Sequence, residues 1–123
     1  MIRLRRAYDP PGPDDGERYL VDRLWPRGVS KDELRIQGWL RDLAPSEELR
    51  RWFGHDERKY ADFRKRYRSE IARHPKEIEI LREAMARGPV TLVFAARDPE
   101  HCNATVLKEY LEGRGGAPPR PKG

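Results

Sequence analysis

The sequence predicts a small layered α/β domain with a largely parallel central sheet flanked by helices. Three observations carry that expectation. Residues 90 to 96 are continuously apolar or β-branched, as a strand covered on both faces should be. Ile2 and Leu4 alternate with arginines, and Tyr19, Leu20 and Val21 open a second short apolar run, so two further strands lie ahead of it. The stretches between these strands carry apolar residues at helical spacing, and strands separated by helices build a parallel sheet rather than a sandwich.

Taken in order, the first strand starts at Ile2, and the second runs from Tyr19 to about Leu24. Between them Asp9-Pro10-Pro11-Gly12-Pro13-Asp14-Asp15-Gly16 is a loop by every turn rule. Trp25-Pro26-Arg27-Gly28 ends the second strand, because Pro26 removes a backbone donor and Gly28 admits an unusual dihedral. Ser30 to Leu34 forms a short helix, with Ser30 as its cap and Glu33 completing a capping box. Residues 36 to 43 read as a short third strand. Pro45, Ser46, Glu47 and Glu48 open a helix that carries Leu49, Trp52 and Phe53 and is closed by Gly54.

Asp56 caps the next helix, in which Tyr60, Phe63, Tyr67 and Ile71 recur at helical spacing and are read as core. Pro75 starts another helix, with Ile78, Leu81 and Met85 inward, and Gly88-Pro89 stops it. After the central strand, Asp98-Pro99 caps and starts a last helix with Val106, Leu107, Tyr110 and Leu111 as its apolar residues.

A chain of 123 residues holds one core, so residues 1–112 are expected to be a single α/β domain. Residues 113–123 carry Arg114, Arg120 and Lys122 with no acid, among Gly113, Gly115, Gly116, Pro118, Pro119 and Pro121. They read as a flexible basic tail. This tail holds three of the five excess positive charges, which weakens the case for nucleic acid that the overall +5 would otherwise make. No apolar run approaches bilayer length, and Met1 leads into Ile-Arg-Leu-Arg-Arg without the apolar core of a signal peptide, so a cytoplasmic location and no membrane partner are expected. Cys102 is the single cysteine, which excludes an internal disulfide and a cysteine-only metal site.

In parallel sheets, ligands bind beyond the carboxyl ends of the strands. Two segments leave strands there through unusual chemistry, residues 22–28 and 95–103, and their strand ends are expected to lie side by side. Arg23 and Arg27 flank Trp25 and Pro26, offering two guanidiniums and an aromatic face to an anion; the competing reading is an ion-pair network with Asp22 or Asp42. Arg97, Asp98 and Asn103 complete the expected ligand-binding set.

Cys102 and His55 are the candidate catalytic residues. A helix dipole and Arg97 could lower the thiol pKa, against the alternative of a buried inert cysteine. His55, next to a helix end, could serve as acid or base. The spacing of His55, His74 and His101 matches no metal-ligand pattern, so no metal site is expected.

The string Leu-Val-Asp-Arg-Leu-Trp-Pro-Arg-Gly at 20 to 28 is followed by Trp-Leu-Arg-Asp-Leu-Ala-Pro-Ser at 39 to 46 and Trp-Phe-Gly-His at 52 to 55. Ala-Ala-Arg-Asp at 95 to 98 and His-Cys-Asn-Ala at 101 to 104 complete the set. Together they resemble the domain-of-unknown-function 488 family, in its YeaO-like group, over residues 1 to 112. The resemblance implies a cytoplasmic α/β domain and carries no established activity or cofactor. More distant members show Cys-His-Arg near the start of the last helix, where this chain has Cys102-Asn103-Ala104. The thiol matches and the other two residues do not. Two functional readings result: binding or transforming a small anionic ligand in a cleft at the strand ends, or a nucleic-acid or protein interaction module that uses surface Arg and Lys and the tail.

Overall fold

Alternating apolar side chains along short β-branched runs, each followed by a turn or an amphipathic helix, leave this chain one efficient way to bury its apolar surface. The computed structural model, which describes residues 2–113, adopts it: a sheet with helices stacked on it. In chain order the elements are β1 (Ile2–Arg6), β2 (Glu17–Leu20), α1 (Lys31–Leu34), β3 (Gly38–Trp39), a 3₁₀ turn at Arg41–Leu43, and α2 (Glu47–Phe53). A second 3₁₀ turn at Glu57–Lys59 then leads into α3 (Tyr60–Ile71), followed by α4 (Pro75–Arg87), β4 (Val90–Phe94) and α5 (Asn103–Leu111). The tail expected over residues 113–123 lies, apart from Gly113, outside the described residues.

The sheet has four strands in the order β1-β4-β2-β3, with every neighbouring pair parallel. β4 is interior and buried at every position, which is why its sequence shows no polar alternation. Its side chains divide between two cores. Val90, Leu92 and Phe94 join Tyr19, Val21, Phe53, Phe63, Tyr67, Leu81 and Leu107 under the long helices. Val93 points the other way, to Leu20, Ala7 and Leu34, with Trp25 and Trp39 packed against them. The segment between β2 and β3 thus covers the second face, a role that the capping box of Ser30 and Glu33 supports by fixing α1 and seating Leu34.

The aromatics of α3 are core, as expected: Phe63 stacks on Phe53 at 4.3 Å and on Tyr67 at 5.7 Å, and the Tyr67 hydroxyl donates to the carbonyl of Leu43 at 2.8 Å. Pro75 at the start of α4 and the left-handed Gly54 at the end of α2 stand as read.

Five boundaries differ. β2 runs over Glu17–Leu20 instead of Tyr19 to about Leu24, and β4 ends at Phe94 instead of residue 96. The third strand shrinks from residues 36–43 to two residues, because after Leu40 donates to Leu20 the chain coils into its 3₁₀ turn. Asp56 caps the 3₁₀ turn that precedes α3 rather than α3 itself. The last helix starts at Asn103 instead of Asp98-Pro99. There the Asp98 carboxylate accepts from the Glu100 amide at 2.9 Å and pairs with His101 Nδ1 at 2.7 Å, closing a separate turn ahead of the helix.

Candidate functional site

Parallel strands bring their carboxyl ends to one edge, and here three chain departures meet. The ladder continues past β1 and β2 onto the end of β4, through Ala7 N–H to Phe94 O and Val21 N–H to Val93 O. Asp22 then turns inward. One of its carboxylate oxygens accepts from the Ala95 amide at 2.8 Å and the other from Asn103 Nδ2 at 3.2 Å, while Asn103 also donates to Val21 O at 3.0 Å. These bonds tie the ends of β2 and β4 to the first turn of α5. Arg6 braces the same loop, its guanidinium donating to the carbonyls of Ala96 at 3.0 Å and Ala95 at 3.3 Å.

On the other flank, Trp39 donates to Asp22 O at 2.7 Å and meets Trp25 edge-on at 5.5 Å. Trp25 in turn donates to Val29 O at 2.6 Å, so the turn through Pro26 and the left-handed Gly28 is locked by two indoles.

Between these departures opens a cleft of about 680 Å³. Its lining includes all the expected ligand-binding residues, Arg23, Trp25, Arg27, Arg97, Asp98 and Asn103, and both catalytic candidates, Cys102 and His55. The fold therefore gathers them around one opening, although they do not play equal parts. Arg23 donates from Nε to the carbonyl of Pro45 at 3.3 Å and from NH2 to that of Ala44 at 3.5 Å, so it holds the segment before α2, and the ion pair with Asp22 or Asp42 of the competing reading does not form. Asp98 is committed to His101 and Glu100, and Asn103 to Asp22 and Val21. Arg27 and Arg97 are exposed at the rim, and neither makes a hydrogen bond or ion pair with a described residue. Arg50 of α2, which sequence reasoning missed because nothing near it in the chain marks it out, joins them, making no hydrogen bond or ion pair with a described residue although its charge acts on Asp22.

Cys102 sits at the N-cap of α5 and is buried, its sulfur lying 3.7 Å from Pro99 O and 3.6 Å from Thr105 Oγ1. Burial pushes its thiol pKa up; hydrogen bonds from Thr105 and the Ala104 amide offset only part of that rise. The burial accords with the alternative of a buried cysteine, since desolvation opposes the thiolate. His55 is exposed in a left-handed conformation (φ 58°), one that His tolerates better than most residues, with its ring 6.0 Å from Phe53.

His101 was not singled out as a ligand. Its Nδ1 lies 2.7 Å from Asp98 and 3.7 Å from Glu57, and the donor atoms of the three residues all fall within 4.8 Å of one another. Among the described residues this is the group that could hold a metal ion, and the ion pair already accounts for its geometry. Distance in sequence hid it, since Glu57 lies on the 3₁₀ turn before α3 and the other two on the β4–α5 loop.

Comparison with known proteins adds the following. A family model described as the inactive DUF488-N3 subclade matches residues 1–116. The chain is 42% identical over 113 residues to an uncharacterised protein of Mycobacterium tuberculosis (strain ATCC 25618 / H37Rv), covering 92% of this chain and 95% of that protein. It is 40% identical over 110 residues to the uncharacterised protein YeaO of Escherichia coli (strain K12), covering 89% of this chain and 96% of that protein. No solved structure matches.

Proposed function

Starting from the fact that this chain belongs to the DUF488 family, through its inactive DUF488-N3 subclade, we propose that it binds a small organic anion in the cleft at the strand ends without transforming it. The observation that carries this reading is the convergence of Arg27, Arg50 and Arg97 on one opening, where none of the three makes a hydrogen bond or ion pair with a described residue and Arg50 faces only the charge of Asp22. A lone unpaired surface arginine is ordinary. Several around one concave, mostly apolar site form a preorganised anion clamp, since guanidinium is weakly hydrated and forks onto carboxylate or phosphate. Exposed Leu24 and Tyr8 on the same lining favour an organic anion over a bare inorganic one.

Absence of turnover fits the word "inactive" in the family description and the burial of the one thiol. No helix among the described residues is long and apolar enough to cross a membrane, so the partner is sought among dissolved molecules.

The test is a thermal-shift titration of the wild-type chain with inorganic phosphate, phenyl phosphate and benzoate, repeated with Arg27→Gln/Arg50→Gln/Arg97→Gln. A ligand at a hundred times its Kd stabilises the folded state by about 2.7 kcal/mol, which raises the midpoint by several degrees. The organic anions should produce that rise in the wild type and lose it in the triple variant. No rise with any anion would refute the reading. Binding of an oligonucleotide with a steep inverse dependence on salt, in place of the small anions, would move the function to nucleic acid.

A further inference from the structure

We infer that the ligand of this cleft is bifunctional: besides the anionic group held at the rim it presents a hydrogen-bond donor, an N–H or O–H, to the carboxylate of Asp22 at the floor. The inference rests on the anion-binding reading above and adds the chemistry of the ligand's inner end.

The cleft is electrically polarised from rim to floor. Arg27, Arg50 and Arg97 are exposed, whereas Asp22 is half-buried just past the end of β2 and lines the same opening. A carboxylate offers about four lone-pair positions, and described residues occupy two of those on Asp22, through Ala95 N–H and Asn103 Nδ2. Burial lifts its pKa, while the Ala95 and Asn103 bonds and the nearby charge of Arg50 offset only part of the rise. A donor arriving from the cleft would relieve that imbalance, whereas an anion arriving there would worsen it.

Asp15, at the opposite edge of the sheet, shows how this fold treats a buried carboxylate that serves structure alone. It accepts from Arg18 at 2.6 Å, from Arg5 at 3.1 Å and from the Gly12 amide at 2.9 Å. Burial by itself would raise the Asp15 pKa, yet those partners bring it below the ordinary value. Asp22 accepts a hydrogen bond from no arginine among the described residues: Arg50 acts on it through charge alone, and its chain neighbour Arg23 reaches instead for the carbonyls of Pro45 and Ala44. The apolar walls supplied by Phe53, Phe63 and Ala95 between rim and floor require an apolar body joining the two ends of the ligand.

Two isosteric probes test this: 4-aminophenyl phosphate, which carries a donor at the end remote from its phosphate, and 4-methylphenyl phosphate, which does not. Binding is followed by calorimetry on the full chain and on Asp22→Asn. The amino compound should bind the wild type at least about tenfold more tightly, and Asp22→Asn should erase that preference while still binding the methyl compound. Equal affinities in the wild type overturn the inference and leave the anion site standing; no binding of either probe overturns both. If Asp22→Asn does not fold, a crystal of the wild type soaked with the amino compound decides. An aniline nitrogen within hydrogen-bond distance of Asp22 supports the inference, and any other placement overturns it.

Discussion

Replacing Asp15 by Ala should destabilise the domain by about 3–5 kcal/mol, the cost of stranding one member of a buried ion pair. The magnitude follows from what the substitution leaves behind. Arg18 is 4% exposed and its NH1 donates to Asp15 at 2.6 Å; its Nε is held by Leu34 O at 3.0 Å, and its NH2 already lacks a partner. Without Asp15 the guanidinium keeps one bond and its whole desolvation cost. Arg5 is 32% exposed, so its share of the network is screened and adds little.

For a domain of this size the loss corresponds to a fall of roughly 10–20 °C in the thermal midpoint. In urea unfolding the midpoint should drop with an unchanged slope. Arg18→Leu in the same chain should recover part of the loss, because the stranded charge is then gone. The pH dependence has a definite sign: Asp15 has a lowered pKa in the fold, so its contribution is present above the unfolded value and disappears as pH falls through the folded one. The gap between wild type and Asp15→Ala should therefore narrow in acid below about pH 4. A loss under about 1 kcal/mol at pH 7, or a gap that widens in acid, would refute the argument.

Gly16 and Gly28 both have left-handed backbones, φ 66° and 80°, yet a Cβ at Gly16 would come within 2.1 Å of the Pro89 carbonyl oxygen whereas one at Gly28 meets nothing within 4 Å. Gly28→Ala should cost only backbone strain of about 1 kcal/mol, and Gly16→Ala at least ~2 kcal/mol more, because the start of β2 must move off Pro89; equal midpoints for the two variants would contradict this. Cys102 should react with iodoacetamide at pH 7.4 at least about tenfold more slowly than a model thiol of pKa about 8.5, and a rate equal to or above the model's would restore the reactive-thiolate reading. Hydrogen bonding to Asp98 raises the His101 pKa, so the pair's stabilisation is complete below the ordinary histidine value and lost as pH rises through the folded one. The stability gap between wild type and His101→Gln should thus shrink from pH 6 to pH 8.5, and a constant gap would assign His101 no titrating role.

What the sequence made legible was local. The Ser30–Glu33 box, the Gly54 stop, the Pro75 start and the β-branched run of β4 each act within a few residues, and each is present, β4 ending two residues short of the expected 96. The start of the last helix was misplaced because an aspartate before a proline looks the same whether it caps a helix or closes a turn on itself. Here the deciding contact is the ring of His101. The residues lining the cleft were legible in part, because two of the segments carrying them leave the sheet through conspicuous chemistry. Their division of labour was hidden. That Arg23 serves Ala44 and Pro45 while Arg27 finds no partner among the described residues depends on where α2 begins in space, and Asp22 comes to line the cleft only once β4 and α5 close around it.

The two edges of the sheet answer different demands, and the polar groups at each show it. At the amino-terminal edge Asp15 accepts three hydrogen bonds, two of them from arginines, Thr91 donates to the Asp15 carbonyl at 2.8 Å, and Gly16 packs its backbone on Pro89. At the carboxyl-terminal edge the helices and indoles hold the backbone just as firmly, yet the side chains facing the opening are left with unspent hydrogen-bonding capacity: the guanidiniums of Arg27, Arg50 and Arg97 and two lone-pair positions on Asp22. A fold under selection for stability alone gains from pairing such groups internally, and Asp15 shows that this fold can do so. Substitutions at the two edges should accordingly separate. Asp15→Ala should lower stability and leave the affinity of the folded protein for an aryl phosphate unchanged, whereas Arg97→Gln should weaken binding and leave the thermal midpoint of the free protein within a degree or two, the range usual for an exposed surface change. A matched loss of stability and affinity in both variants would mean that the cleft is only another face of the structural core.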